Sequence, residues 1–99
     1  MSTEEKIAMW FSQKGLDKKE NRFKQLAKTT EELGELAECV VKDKPEDLAL
    51  EIGDVAVTLI GLTTQFGLDY NDCLEQAYKK ISKRKGQTKG GVFVKSEDS

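Results

Sequence analysis

Histidine is absent from this 99-residue chain. Ser-His and Cys-His nucleophilic catalysis, the usual catalytic zinc sites and imidazole acid–base chemistry are therefore excluded. The absence also counts against a ferritin-like di-iron bundle, which needs Glu-x-x-His on two of its helices. Cysteine is scarce: Cys39 and Cys73 fall in segments with helical apolar spacing, and two thiols make no disulfide framework, so both read as reduced core residues. Neither sign of charge dominates. Sixteen Lys and Arg stand against eighteen Asp and Glu, a net charge of −2, mixed along most of the chain, so no large basic surface offers itself to DNA or RNA. No long hydrophobic run is present either. The stretch from Val55 to Leu68 is too short and too rich in Thr and Gly to span a bilayer, and no charged end precedes an apolar signal core. The reading is a cytoplasmic protein with no membrane partner, whose chemistry falls to carboxylates.

What remains is helical periodicity. Ser2 and Glu5 form a capping-box pattern, and Ile7, Trp10 and Phe11 follow at helical spacing until Gly15. After a polar link, Asp17 to Asn21, a long second helix runs to about Lys42, with Leu26, Leu33, Ala37 and Val40 as its main apolar stripe, widened by Leu36 and Val41. Pro45 suits the first position of a third helix, whose opening turn carries Glu46 and Asp47 as the helix dipole prefers. Leu48, Ile52, Val55, Leu59, Leu62 and Phe66 make its expected core stripe. Asp69 caps a fourth helix, with Cys73, Ala77 and Ile81 on its apolar face. The expected fold is all-α and four-helix bundle-like, with residues 1–86 as the helical domain and 87–99 as an arm and tail. In that arm Gly90 and Gly91 loosen the chain, Val92-Phe93-Val94 forms a short extended segment, and the extreme C-terminus is mobile. A core this small is marginal alone, and the third helix is apolar on several faces with small residues Gly53, Ala56 and Gly61. A homodimer or homotetramer using part of that helix is expected.

Two acidic pairs carry the chemistry. Glu32 and Glu35 lie three residues apart on the second helix, and Glu51 and Asp54 repeat the spacing on the third, so each pair points into one region of space. If the helices fold back at Lys44-Pro45, position 35 comes level with about position 53, and four carboxylates converge within roughly one helical turn. Most single Glu-x-x-Glu pairs are solvated surface charge. Glu51 and Asp54, however, stand among apolar neighbours, where an uncompensated acid costs stability. Hard oxygen ligands in such number suit Mg²⁺, with Mn²⁺ able to substitute.

Lys80 and Arg84, four residues apart near the end of the fourth helix, can hold phosphate oxygens. Cations at a helix C-terminus are favoured by the dipole in any case, so the pair gains meaning only beside the carboxylates. Trp10 and Phe11 could stack on a nucleobase, although aromatics at this spacing more often pack in a core.

Thr30-Glu31-Glu32-Leu33-Gly34-Glu35-Leu36, followed across a Pro-containing turn by Glu51-Ile52-Gly53-Asp54-Val55, resembles the signature of the all-α nucleoside triphosphate pyrophosphatases, and within them the small MazG-like type. The likeness runs from about Phe23 to Val94 and includes Ala77-Tyr78-Lys79-Lys80 and Arg84-Lys85-Gly86. It implies hydrolysis of an NTP or dNTP between the α and β phosphates to a monophosphate and pyrophosphate, with Mg²⁺ as cofactor and a role in clearing unwanted nucleotides. Glu32, Glu35, Glu51 and Asp54 would then be metal ligands, Glu32 or Glu35 the general base, Lys80 and Arg84 phosphate-holding groups, and Trp10 a base contact. The chain departs from related dCTP pyrophosphatases, which often have an asparagine where Arg84 falls and a histidine near the N-terminus. The alternative from another class is a non-catalytic helical interaction or nucleotide-binding module that keeps the fold.

Overall fold

The computed structural model describes residues 1–96. Helix α1 (Thr3–Gln13) starts on the expected capping box: the Glu5 N–H donates to Ser2 Oγ at 3.1 Å and the Ser2 N–H to Glu5 Oε1 at 3.3 Å. Gly15, at φ +69°, closes it in a Schellman turn, with the Leu16 N–H reaching the Phe11 carbonyl at 2.8 Å. A single 3₁₀ turn at Lys19–Asn21 leads into α2 (Arg22–Val41), and α3 (Pro45–Gln65) follows with Pro45 in its first turn beside Glu46 and Asp47. The α2–α3 corner uses the same closing turn without a glycine. Asp43 takes φ +51°, and the Lys44 N–H donates to the Cys39 carbonyl at 3.1 Å. Helix α4 (Tyr70–Ser82) begins on Asp69, whose Oδ1 accepts from the Asp72 N–H at 3.0 Å.

The extended arm is one strand of an antiparallel hairpin, β1 (Gly86–Lys89) and β2 (Val92–Lys95), with Gln87 opposite Val94 and Thr88 opposite Phe93. Gly90 and Gly91 do not loosen the chain; both have positive φ, the requirement of a tight two-residue hairpin turn. Of the polar C-terminal residues expected to be mobile, Lys95 ends β2 and the Ser96 N–H donates to the Lys85 carbonyl at 2.7 Å. The rest of that expectation lies outside the described residues.

Helices α2 and α3 run antiparallel and form the body; α1 lies along α3, and α4 touches α3 over a short stretch. The face that α2 turns to α3 is Gln25, Thr29, Glu32, Leu36 and Cys39, spaced four and three residues apart, and α3 answers with Glu51, Thr58, Gly61 and Gln65. This corrects the expected stripes. Leu26, Leu33 and Val40 of α2 are each more than half exposed, as is Ile52 of α3, while the buried α3 positions include Thr58 and Gln65. The inner seam holds itself together with hydrogen bonds: Gln25 Nε2 donates to the Thr58 carbonyl at 2.8 Å, and Gln65 Nε2 donates to the Leu16 carbonyl at 3.0 Å. Among the described residues, the buried apolar side chains are few, namely Phe11, Cys39 and Ile60. Gly61 does allow a close approach, but from Phe11 and Gln25 of its own chain rather than from another subunit. Among the described residues, no helix is long and apolar enough to cross a membrane.

Candidate metal centre

Because α2 and α3 are antiparallel and leave the same corner at Lys44, residues 32 to 35 lie level with residue 51. Glu32, Glu35 and Glu51 each place a carboxylate oxygen within 4.8 Å of the other two. Glu32 sits on the inner face of α2 with its side chain 12% exposed, Glu51 is half-buried on α3, and Glu35 opens toward solvent. One oxygen of Glu32 faces the Lys28 ammonium at 3.4 Å, which also lies 3.7 Å from Glu31. The other, Oε2, is buried with no donor, and Glu51 Oε2 is in the same condition. Buried anionic oxygens without a partner are costly. Two of them on facing helices, with Glu35 beside them, form a group that could hold a metal ion.

The electrostatics agree. A hydrogen bond shared with Glu32, the charge on Glu32, partial burial and the charge on Glu51 raise the Glu35 carboxyl above its ordinary range. Burial, followed by the charges of Asp54, Glu32 and Asp47, raises Glu51 as well. Each carboxyl therefore binds a proton more tightly than an isolated one, as carboxylates gathered at like-charge distance do. A divalent ion would supply the opposite charge that stabilises the ionised forms, so the donor set fits a hard cation.

Beside the cluster lies a cleft of about 370 Å³, to which Glu35 and Glu51 contribute together with Cys39, Lys42, Lys44 and Leu50. That volume is in the range of small-ligand sites. Lys42 is paired with Glu38, whose carboxyl it pulls below the ordinary range. Cys39 remains a neutral thiol, its pKa raised by burial and by the Asp47 and Glu51 charges, and its Sγ–H donates to the Lys44 carbonyl.

Of the four acids singled out from the sequence, three converge. Asp54 is half-buried one helical step beyond Glu51 and acts on Glu51 electrostatically, but it stands outside the close group. Lys80 and Arg84 are exposed, on and just after α4, and do not line the cleft. Trp10 packs edge-on against Phe11, centroids 5.2 Å apart, and is 46% exposed on α1, also away from the cleft. Sequence reasoning passed over Lys28, although its place four residues before Glu32 on one helix is the usual signal for an ion pair. It also passed over Lys42 and Lys44, whose presence at the cleft follows only once the corner is folded.

Comparison with curated proteins and with solved structures gave no match. The family model of the MazG nucleotide pyrophosphohydrolase domain matches residues 19–88, which carry α2, α3, α4 and all four acids, and the chain therefore belongs to that family.

Proposed function

We propose that the protein is a Mg²⁺-dependent nucleoside triphosphate pyrophosphohydrolase that converts an NTP or dNTP to its monophosphate and pyrophosphate. The observation that carries this reading is the pair of donorless buried oxygens, Glu32 Oε2 and Glu51 Oε2, gathered with Glu35 beside a nucleotide-sized cleft. Glu32, Glu35 and Glu51 would hold the ion, with Asp54 adjoining them. When bound, Mg²⁺ supplies neutralisation of the triphosphate charge and a fixed orientation of its oxygens. Among the carboxylates of the cluster Glu35 is the most open to solvent, which suits it to meet a water as general base. It takes the proton of a water whose oxygen bonds to the α phosphorus, while the bond from that phosphorus to the α–β bridging oxygen breaks and pyrophosphate leaves. Lys80 and Arg84 are proposed to hold phosphate oxygens and Trp10 to meet the base, each side chain being accessible. The free state of both thiols agrees with action in the cytoplasm on free nucleotides.

The test is pyrophosphate release from a panel of NTPs and dNTPs with Mg²⁺. Turnover by the wild type that is lost in Glu51→Gln and Asp54→Asn is expected. No turnover with any triphosphate, or full activity in both variants, would overturn the reading.

A further inference from the structure

From Gln25 to Glu32 the inner face of α2 offers no apolar side chain to α3: its half-buried residues there are Gln25, Thr29 and Glu32. Thr29 donates its Oγ1–H to the Gln25 carbonyl in its own helix. Among the described residues, the side-chain hydrogen bonds that join α2 to α3 therefore all belong to Gln25. Its Nε2 donates to the Thr58 carbonyl at 2.8 Å, and its Oε1 lies 3.4 Å from Gln65 Nε2, which also donates to the Leu16 carbonyl beyond α1. The Gln25 amide fits because Gly61 has no side chain, since a Cβ there would lie 2.8 Å from Nε2. Thr58 and Gln65 are buried, so water competes poorly for these bonds.

This node is in register with the acidic centre. Glu32 follows Gln25 by about seven residues and Glu51 precedes Thr58 by the same interval, so on antiparallel helices the two pairs are rungs of one seam, about 10 Å apart along it. Apolar burial is non-directional and lets one helix slide on another, whereas a hydrogen bond of fixed length and angle does not. The acids themselves hold nothing in place, because like charge presses Glu32 and Glu51 apart. Oxygens bound to a hard divalent ion lie about 2.0–2.6 Å from it, so two that share one ion lie within about 5 Å of each other. Glu32, Glu35 and Glu51 meet that condition, with oxygens within 4.8 Å of one another. A slip of one residue, about 1.5 Å along the axis, would strain it.

We propose that Gln25 is a positioning residue of the metal centre: its bond to the Thr58 carbonyl, two helical turns from the carboxylates, fixes the α2–α3 register in which Glu32 and Glu51 share one cation. Gln25 acts through the two helices alone. The proposal rests on the metal centre of the hydrolase reading and not on turnover, so failure of the pyrophosphate assay leaves its own test intact.

The experiment is titration of the full chain with Mn²⁺ alone, the free ion being counted by electron paramagnetic resonance, with melting temperature and helix content recorded for each variant. Gln25→Met keeps the length and unbranched shape of the side chain and removes its donor. It is expected to stay helical and to bind Mn²⁺ at least about tenfold more weakly than wild type. Ile60→Ala, whose cavity lies on the side of α3 that faces Ala8 of α1, separates register from stability. It is expected to melt lower and yet to keep the wild-type affinity. If Gln25→Met fails to fold, Gln25→Asn decides: it keeps the amide, is one methylene too short to reach Thr58, and is expected to show the same loss. Wild-type affinity in the folded Gln25 variant, or an equal loss in Ile60→Ala, overturns the proposal and leaves the metal centre standing. A wild type that binds no Mn²⁺ overturns both.

Discussion

Glu32 and Glu51 approach each other across the α2–α3 seam, each with one buried oxygen that no donor reaches. In the metal-free protein this arrangement opposes folding, because burial and like charge both disfavour the ionised forms. Glu51→Gln keeps the shape and removes the charge. The expected outcome is a higher melting temperature in metal-free buffer together with a loss of hydrolysis by about two orders of magnitude or more. Differential scanning fluorimetry and a pyrophosphate assay on one preparation measure both. A variant that melts lower than wild type without metal would mean that Glu51 is stabilised by something other than a cation.

Addition of Mg²⁺ should act in the opposite direction on the wild type. An ion that binds the folded cluster and not the unfolded chain raises stability by roughly 2.7 kcal/mol at a hundredfold excess over its dissociation constant. For a chain of this length that is a rise in melting temperature of about 10 °C or more. Glu51→Gln should show little of this rise. Equal shifts in the two proteins would place the ion elsewhere.

The same carboxylates set a pH dependence. Glu35 and Glu51 bind protons more tightly in the folded chain than at their ordinary value of 4.5, so the folded state carries more protons than the unfolded state just above that pH. Stability without metal therefore falls as pH rises through this interval and is recovered as pH returns toward 4.5. Glu38, lowered by Lys42, contributes in the reverse sense, its stabilisation being present above 4.5 and lost on acidification. Glu51→Gln removes one of these carboxyls and also the Glu51 charge that raises Glu35, so both changes act in the same direction. Urea melts between pH 4.5 and 7 should show a shallower decline in the variant, and an equal or steeper one would contradict the assignment.

Helix boundaries and the acidic pairs were legible because they rest on local rules: the capping box at Ser2, Pro45 opening α3, Asp69 opening α4, and i,i+3 spacing of the acids. The choice of face was not. Periodicity identifies the most apolar side of a helix, and on α2 that side, Leu26 to Val40, is exposed in the single chain. The face that packs on α3 reads as polar because it houses Gln25, Thr29 and Glu32, whose packing depends on hydrogen bonds and on the acidic centre. Gln65 gave no signal as a core residue either, since its burial rests on donating to the Leu16 carbonyl forty-nine residues away. The hairpin was half legible: the apolar run Val92-Phe93-Val94 marked β2 as extended, while β1, Gly-Gln-Thr-Lys, has no apolar pattern and is defined by its partner.

Gly61 sits in the tightest helix–helix contact among the glycines of α2 and α3. A Cβ at this position would lie 2.4 Å from Cε1 and Cζ of Phe11 and 2.8 Å from Nε2 of Gln25. Phe11 is 4% exposed and cannot turn outward, and Gln25 is held by its bond to the Thr58 carbonyl, so neither neighbour yields cheaply. Gly61→Ala is therefore expected to destabilise by about 1–3 kcal/mol through overpacking, despite the better helix propensity of alanine. Shortening the ring should relieve the clash. Phe11→Leu alone is expected to destabilise through the space it leaves, but combined with Gly61→Ala the two losses should sum to less than their separate values. Chemical denaturation of the four proteins of this cycle measures the coupling directly. Additive losses would show that α1 shifts away from α3 instead of meeting it at Gly61, and would locate the core of this small chain elsewhere.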